Sequence, residues 1–148
     1  MILEALVRYL HFISLLTLVA AVAGQQILIR DRLPRREIRR LAVLDAVYGV
    51  SAVTVVLAGL TLWFWIGKNP EFYSHNWIFL TKVGLAILLG IVSIHPTLFF
   101  ARNRKGENPE ELIEVPRSVR RVIRFELLLL VLIPFGAVLM ARGIGYFG

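Results

Sequence analysis

Residues 77–100, WIFLTKVGLAILLGIVSIHPTLFF, form an apolar stretch interrupted by one lysine (Lys82) and by a histidine next to a proline (His95, Pro96). As a helix it extends about 36 Å at 1.5 Å per residue, enough to cross about 30 Å of hydrocarbon. A lysine inside such a span costs a few kcal/mol on insertion scales, so it needs a partner or a task. Three further segments of this kind lie at about 5–29, 42–66 and 122–141. The pattern predicts an all-α chain, one domain over residues 1–148, built as an integral membrane four-helix bundle of up-down-up-down topology.

Composition agrees: 57% of the 148 residues are hydrophobic and the mean hydropathy is +0.72. The formal charge of +7 does not point to nucleic acid, because the basic residues sit in short loops between apolar segments rather than in a soluble basic domain. The first loop, Arg30 to Arg40, reads RDRLPRREIRR; the second, Ala101 to Arg121, carries Arg102, Arg104, Lys105, Arg117, Arg120 and Arg121 around a polar GENPEE insert. With Arg124 these loops hold thirteen of the seventeen basic residues, against Arg8, Lys68 and Arg142 on the other side and Lys82 within a span. The positive-inside rule then puts both loops in the cytoplasm of a bacterial inner membrane and both termini outside. Tyr9, Trp63, Trp65, Phe72, Tyr73, Trp77, Tyr146 and Phe147 fall at the outer border, where an aromatic belt belongs.

Ala21-Val22-Ala23 resembles a signal-peptide cleavage site, but the leader MILEALVR is acidic as well as basic and a dense arginine run follows. That suits a retained span. With no cysteine, disulfides, thiolate metal sites and cysteine nucleophiles are excluded. Small residues at Gly49, Ala52, Ala58 and Gly59, and at Gly84, Ala86 and Gly90, read as close helix packing. Pro96 and Pro134 are each expected to kink their helix and free a carbonyl.

The polar residues inside the spans fall at two levels. On helix 1, Glu4, Arg8, His11, Ser14, Leu18 and Gln25 recur at three- and four-residue steps and share one face. His11 lies roughly 9 Å below the outer border and Lys82 about 7–8 Å, so the two can meet. Arg142 closes helix 4 and Asn76 opens helix 3 at that border, with Tyr73 just before it. Together His11, Lys82, Arg142, Asn76 and Tyr73 outline an outward pocket for an anionic ligand such as a carboxylate, a propionate or a lipid phosphate. Lys82 snorkelling to the interface and His11 as a hydrogen-bonded bundle residue are the alternatives.

The inner set is Gln25, Asp45, Tyr48, His95 and Glu126, next to Gln26. It reads as a proton relay or metal site, or, as the favoured account, as carboxylates in salt bridges to Arg40, Arg124 or Arg30. Lys82 and His95, thirteen residues apart, stand about 140° apart on an ideal helix and do not face one target. No Ser-His-Asp arrangement compatible with the topology, phosphate loop or HExxH motif is present, so no hydrolase or transferase reading is supported.

The runs LHF (Leu10–Phe12), DAVYG (Asp45–Gly49), WFWIGKNPEFYSHN (Trp63–Asn76), SIHPT (Ser93–Thr97) and MARGIG (Met140–Gly145), with the Lys82 span, resemble an uncharacterised bacterial four-span family, domain of unknown function twenty-two fourteen. The likeness covers nearly the whole chain and implies a fold but no activity. In that family an arginine often stands where this chain has Leu62, and a residue other than histidine at His95. A histidine early in helix 1 and a lysine early in helix 3 also resemble, more distantly, the HemJ-type protoporphyrinogen oxidases and CopD-type membrane proteins. That likeness implies haem b or another porphyrin as tenant, with His11 as axial metal ligand and Lys82 and Arg142 holding propionates. The alternative is a non-enzymatic small transporter, lipid-binding protein or accessory subunit. A homo-oligomer is an expectation for so small a bundle.

Overall fold

The computed structural model describes residues 2–66 and 77–142. Four long helices carry the chain: α1 (Ile2–Leu28), α2 (Arg35–Thr61), α3 (Trp77–Asn103) and α4 (Arg117–Ala141). Two three-residue strands, β1 (Arg32–Pro34) and β2 (Leu112–Glu114), lie in the connections α1–α2 and α3–α4. Helix α2 continues into a π-helical turn at Leu62–Ile66. The helices pack as two hairpins, α1 on α2 and α3 on α4, joined by α2–α3 and α1–α4 contacts. This is the expected four-helix bundle.

Three of the helices, Ile2–Leu28, Arg35–Trp65 and Trp77–Asn103, are long and apolar enough to cross a membrane. Their outward faces carry large apolar side chains such as Leu6, Phe12, Val50, Val53, Ile87 and Ile91. In water such faces would drive aggregation; in lipid they are solvated. Of the aromatic residues expected at the outer border, Tyr9, Trp65 and Trp77 are exposed at 65%, 77% and 57%, and Trp63 is half-buried. Phe72, Tyr73, Tyr146 and Phe147 lie outside the described residues.

Three of the four helices begin earlier than apolar length alone predicted, most clearly α2, which starts at Arg35 rather than near 42, while α3 starts at Trp77 as expected. The reason is a partner in the second loop, 76 residues on from Arg35 and 73 from Arg36. Pro34 ends β1 in extended conformation and offers no side-chain cap. The orphan N–H groups of Arg35 and Arg36 instead donate to the carbonyls of Glu111 and Pro109, each at 2.9 Å. A helix N-terminus satisfied this way needs no capping side chain.

The two basic loops therefore fold together as one cap. β1 and β2 pair antiparallel, with Arg32 opposite Glu114, Leu33 opposite Ile113 and Pro34 opposite Leu112. Arg35 is buried beneath the second loop and donates to Asn103 O (3.2 Å), Asn108 O (2.9 Å) and Glu111 Oε2 (2.7 Å). Arg36 pairs with Glu110, Arg32 with Glu114 and Arg120 with Asp31, while Arg39 donates to the carbonyls of Arg104 and Gly106. The acidic GENPEE insert is thus the counterpart of the arginine run.

Below the cap lies the densest part of the core. Ile38, Leu41, Phe100, Val119 and Ile123 are each 1% exposed or less. Not every small residue serves packing: Gly49, Gly84 and Gly90 have no neighbour within 4 Å of where a Cβ would sit. They face outward, contrary to expectation, because the inward stripes of α2 and α3 run through Tyr48, Ser51 and Ala58 and through Ile78, Leu89, Pro96 and Phe100. Pro96 and Pro134 both lie inside continuous helices.

Candidate functional site

The core stripes that build the bundle also place the polar side chains. On α1 the buried positions are Ser14, Leu18, Ala21, Val22 and Gln25, and His11 extends the same stripe one turn outward, half-buried. On α3, Lys82 sits in register with Ile78 and Leu89 and is half-buried too.

His11 leans on α2, its Nδ1 3.0 Å from the carbonyl oxygen of Val55. A carbonyl only accepts, so Nδ1 carries the proton and the lone pair of the neutral ring resides on Nε2. Gly59 makes room for the ring: a Cβ there would sit 3.3 Å from His11 Cε1 and 3.6 Å from Nδ1. The role of Gly59 was not read from the sequence, although its spacing four residues from Val55 puts both on one face of α2. Lys82 stands close enough for its charge to act on His11. Arg142, one residue beyond α4, is exposed, and its N–H donates to Leu139 O at 3.1 Å. Tyr73 and Asn76 lie outside the described residues. Of the five residues expected around the outer pocket, His11 and Lys82 lie half-buried on the inward stripes of α1 and α3, within electrostatic reach of each other.

At the inner level, Gln25, Asp45, Tyr48 and Glu126 converge from three helices. Gln25 is 1% exposed and its Nε2 lies 3.4 Å from Leu41 O. Gln25 and Thr97 flank the Asp45 carboxyl, placed to donate to it, and Ser93 stands beside the Tyr48 hydroxyl. Glu126 takes the centre of the α4 stripe and interacts electrostatically with Asp45 and Tyr48. His95 is elsewhere: it is exposed, with Nε2 2.9 Å from Ser118 Oγ. Ser93 and Thr97 are one turn apart on α3, so once both face Tyr48 and Asp45, His95 must look away, about 200° from Ser93. The sequence held that signal in SIHPT, but the histidine drew the reading instead.

The salt bridges expected for Asp45 and Glu126 are absent among the described residues. Arg40 pairs with Glu37, Arg30 donates to the carbonyls of Ile27 and Ile29, and Arg124 is exposed. Proximity in sequence misled here: Arg124 is two residues from Glu126 and therefore points to nearly the opposite side of α4. Among the described residues no group of three or more His, Asp or Glu side chains is arranged to hold a metal ion.

A four-helix bundle with apolar outer faces and ionisable groups on its inner stripes defines a membrane protein. The chain belongs to the family described as Predicted membrane protein (DUF2214), whose model matches residues 3–145. No curated protein and no solved structure matches it, so the likeness to HemJ- and CopD-type proteins finds no support there.

Proposed function

We propose that the chain is a multi-pass protein of the bacterial cytoplasmic membrane, its paired-loop cap in the cytoplasm, that binds an anionic ligand at an outward-facing site around His11 and Lys82. Haem b, or another porphyrin, is the most concrete tenant. What supports this reading is the placement of His11 and Lys82 half-buried on the inward stripes of α1 and α3, within electrostatic reach of each other. The cytoplasmic assignment of the cap follows from its share of basic residues.

His11 and Lys82 are the residues that would hold a haem. With Nδ1 on the Val55 carbonyl, His11 Nε2 is the free ligand atom, oriented by the kind of backbone hydrogen bond that metal-ligating histidines use. A protein cation beside it suits a propionate, a role for Lys82 with Arg142 at the rim. His95 cannot serve as a second axial ligand, since it lies at the inner level against Ser118. Bound there, haem would supply one-electron chemistry; the residues themselves bind, orient and exclude water. A small transporter, a lipid-binding protein or an accessory subunit is the second reading, and the polar inner level favours it, because packing alone does not call for buried carboxyls.

An optical spectrum of the gently detergent-extracted protein, before and after haem addition, decides between them. The haem reading expects a Soret band that His11→Ala abolishes and that needs about tenfold more haem to saturate in Lys82→Ala, a loss of roughly 1.4 kcal/mol. No Soret absorption after haem addition, or an unchanged spectrum in His11→Ala, overturns it. If Lys82→Ala and Arg142→Ala also leave co-purifying lipid or other anions unchanged, the anionic site fails altogether.

A further inference from the structure

The inner level poses a separate problem in charge. Glu126 is 2% exposed and its Oε1 has no hydrogen-bond partner among the described residues. It lies between Ile123 and Leu130 on the stripe that α4 buries in the bundle. Asp45 and Tyr48 of α2 lie within electrostatic reach of it, with Gln25 of α1 and Thr97 of α3 beside Asp45 and Ser93 of α3 beside Tyr48. None is a cation. Lys82 is eleven residues before Ser93 on α3, about 16 Å away along the axis. Arg30, Arg40 and Arg124 are engaged in the cap or exposed, and His95 faces Ser118.

Two carboxylates in a low-dielectric bundle, with no positive group between them, cannot both stay ionised without a strong penalty. One proton shared between them removes it, and turns one carboxyl into a donor. A neutral Glu126 then has the Asp45 carboxylate and the Tyr48 oxygen as the acceptors within its electrostatic reach. We propose that Glu126 and Asp45 bind one exchangeable proton between them, making this level of the bundle a proton-binding site inside the membrane. The site is independent of any ligand at His11 and Lys82.

Dicyclohexylcarbodiimide, which reacts with protonated carboxyls in apolar surroundings, tests this directly. The full-length protein in mild detergent is treated at neutral pH and the modified residue located by mass spectrometry. The proposal expects modification at Glu126 or Asp45, one per chain, that falls several-fold at alkaline pH and is the same in sodium, potassium or choline chloride. It expects Glu126→Gln, which keeps the side chain's shape, to leave Asp45 unmodified, and Asp45→Asn to lower modification at Glu126 several-fold. No modification at either residue overturns the proposal. So does protection by sodium or potassium at fixed pH, which would assign the carboxyls to a metal cation, or modification of Glu126 undiminished in Asp45→Asn.

Discussion

Arg35→Ala lowers the stability of the folded bundle by about 3 kcal/mol, read as a shift in the unfolding midpoint of detergent-solubilised protein. The guanidinium is 8% exposed and serves two carbonyls and one carboxylate, so its removal leaves three acceptors from the second loop without their donor. Two of those, Asn103 O and Asn108 O, close the end of α3 and the turn beyond it. Arg35→Lys does not rescue the variant, because an ammonium on a flexible stem cannot reproduce the fork that reaches all three. Gly106 depends on the same contact. Its φ is +149°, a conformation L side chains rarely adopt, and a Cβ there collides with the Arg35 guanidinium. Gly106→Ala therefore costs about 2–4 kcal/mol, and combining it with Arg35→Ala costs well under the sum of the two. Full additivity would contradict the shared contact.

Phe100→Ala costs about 3–4 kcal/mol, the second large effect. Phe100 is 1% exposed, belongs to the same buried cluster as Ile38, Leu41, Val119 and Ile123, and stacks edge-on against Phe99 at 5.7 Å. Lipid is as apolar as the core, so the loss comes from the cavity and its missing contacts rather than from exposure to water. Leu128→Ala, at a position 56% exposed on the outer face of α4, provides the control and costs under about 1 kcal/mol. Equal losses at the two positions would mean that the layer beneath the cap is not the dense part of the core.

Length and hydropathy made the four helices legible, and loop charge made the paired ends legible as one side of the bundle. The cap was not legible. Its ladder joins Leu33 to Ile113 and its key side chain joins Arg35 to Glu111, pairings that no local pattern encodes. The same holds for the start of α2, whose first N–H groups find acceptors only in the other loop. For the polar residues, helical spacing carried more than chemical identity. Gln25, Asp45, Tyr48 and Glu126 each fall in phase with the apolar stripe of their helix, and all four face inward. His95 and Arg124 are two residues out of phase with inward-facing neighbours, and both face out despite the chemistry that drew them into the reading.

Ionisable side chains of α2 and α4 act on each other across the inside of the bundle, and thiol cross-linking measures that placement most directly. The chain has no cysteine of its own, so introduced pairs report alone. Asp45→Cys combined with Glu126→Cys should be joined within one chain by a short bis-methanethiosulfonate reagent in native membranes. Asp45→Cys combined with Arg124→Cys should not. Joining of the second pair in preference to the first would contradict the arrangement on which the Asp45–Glu126 site depends.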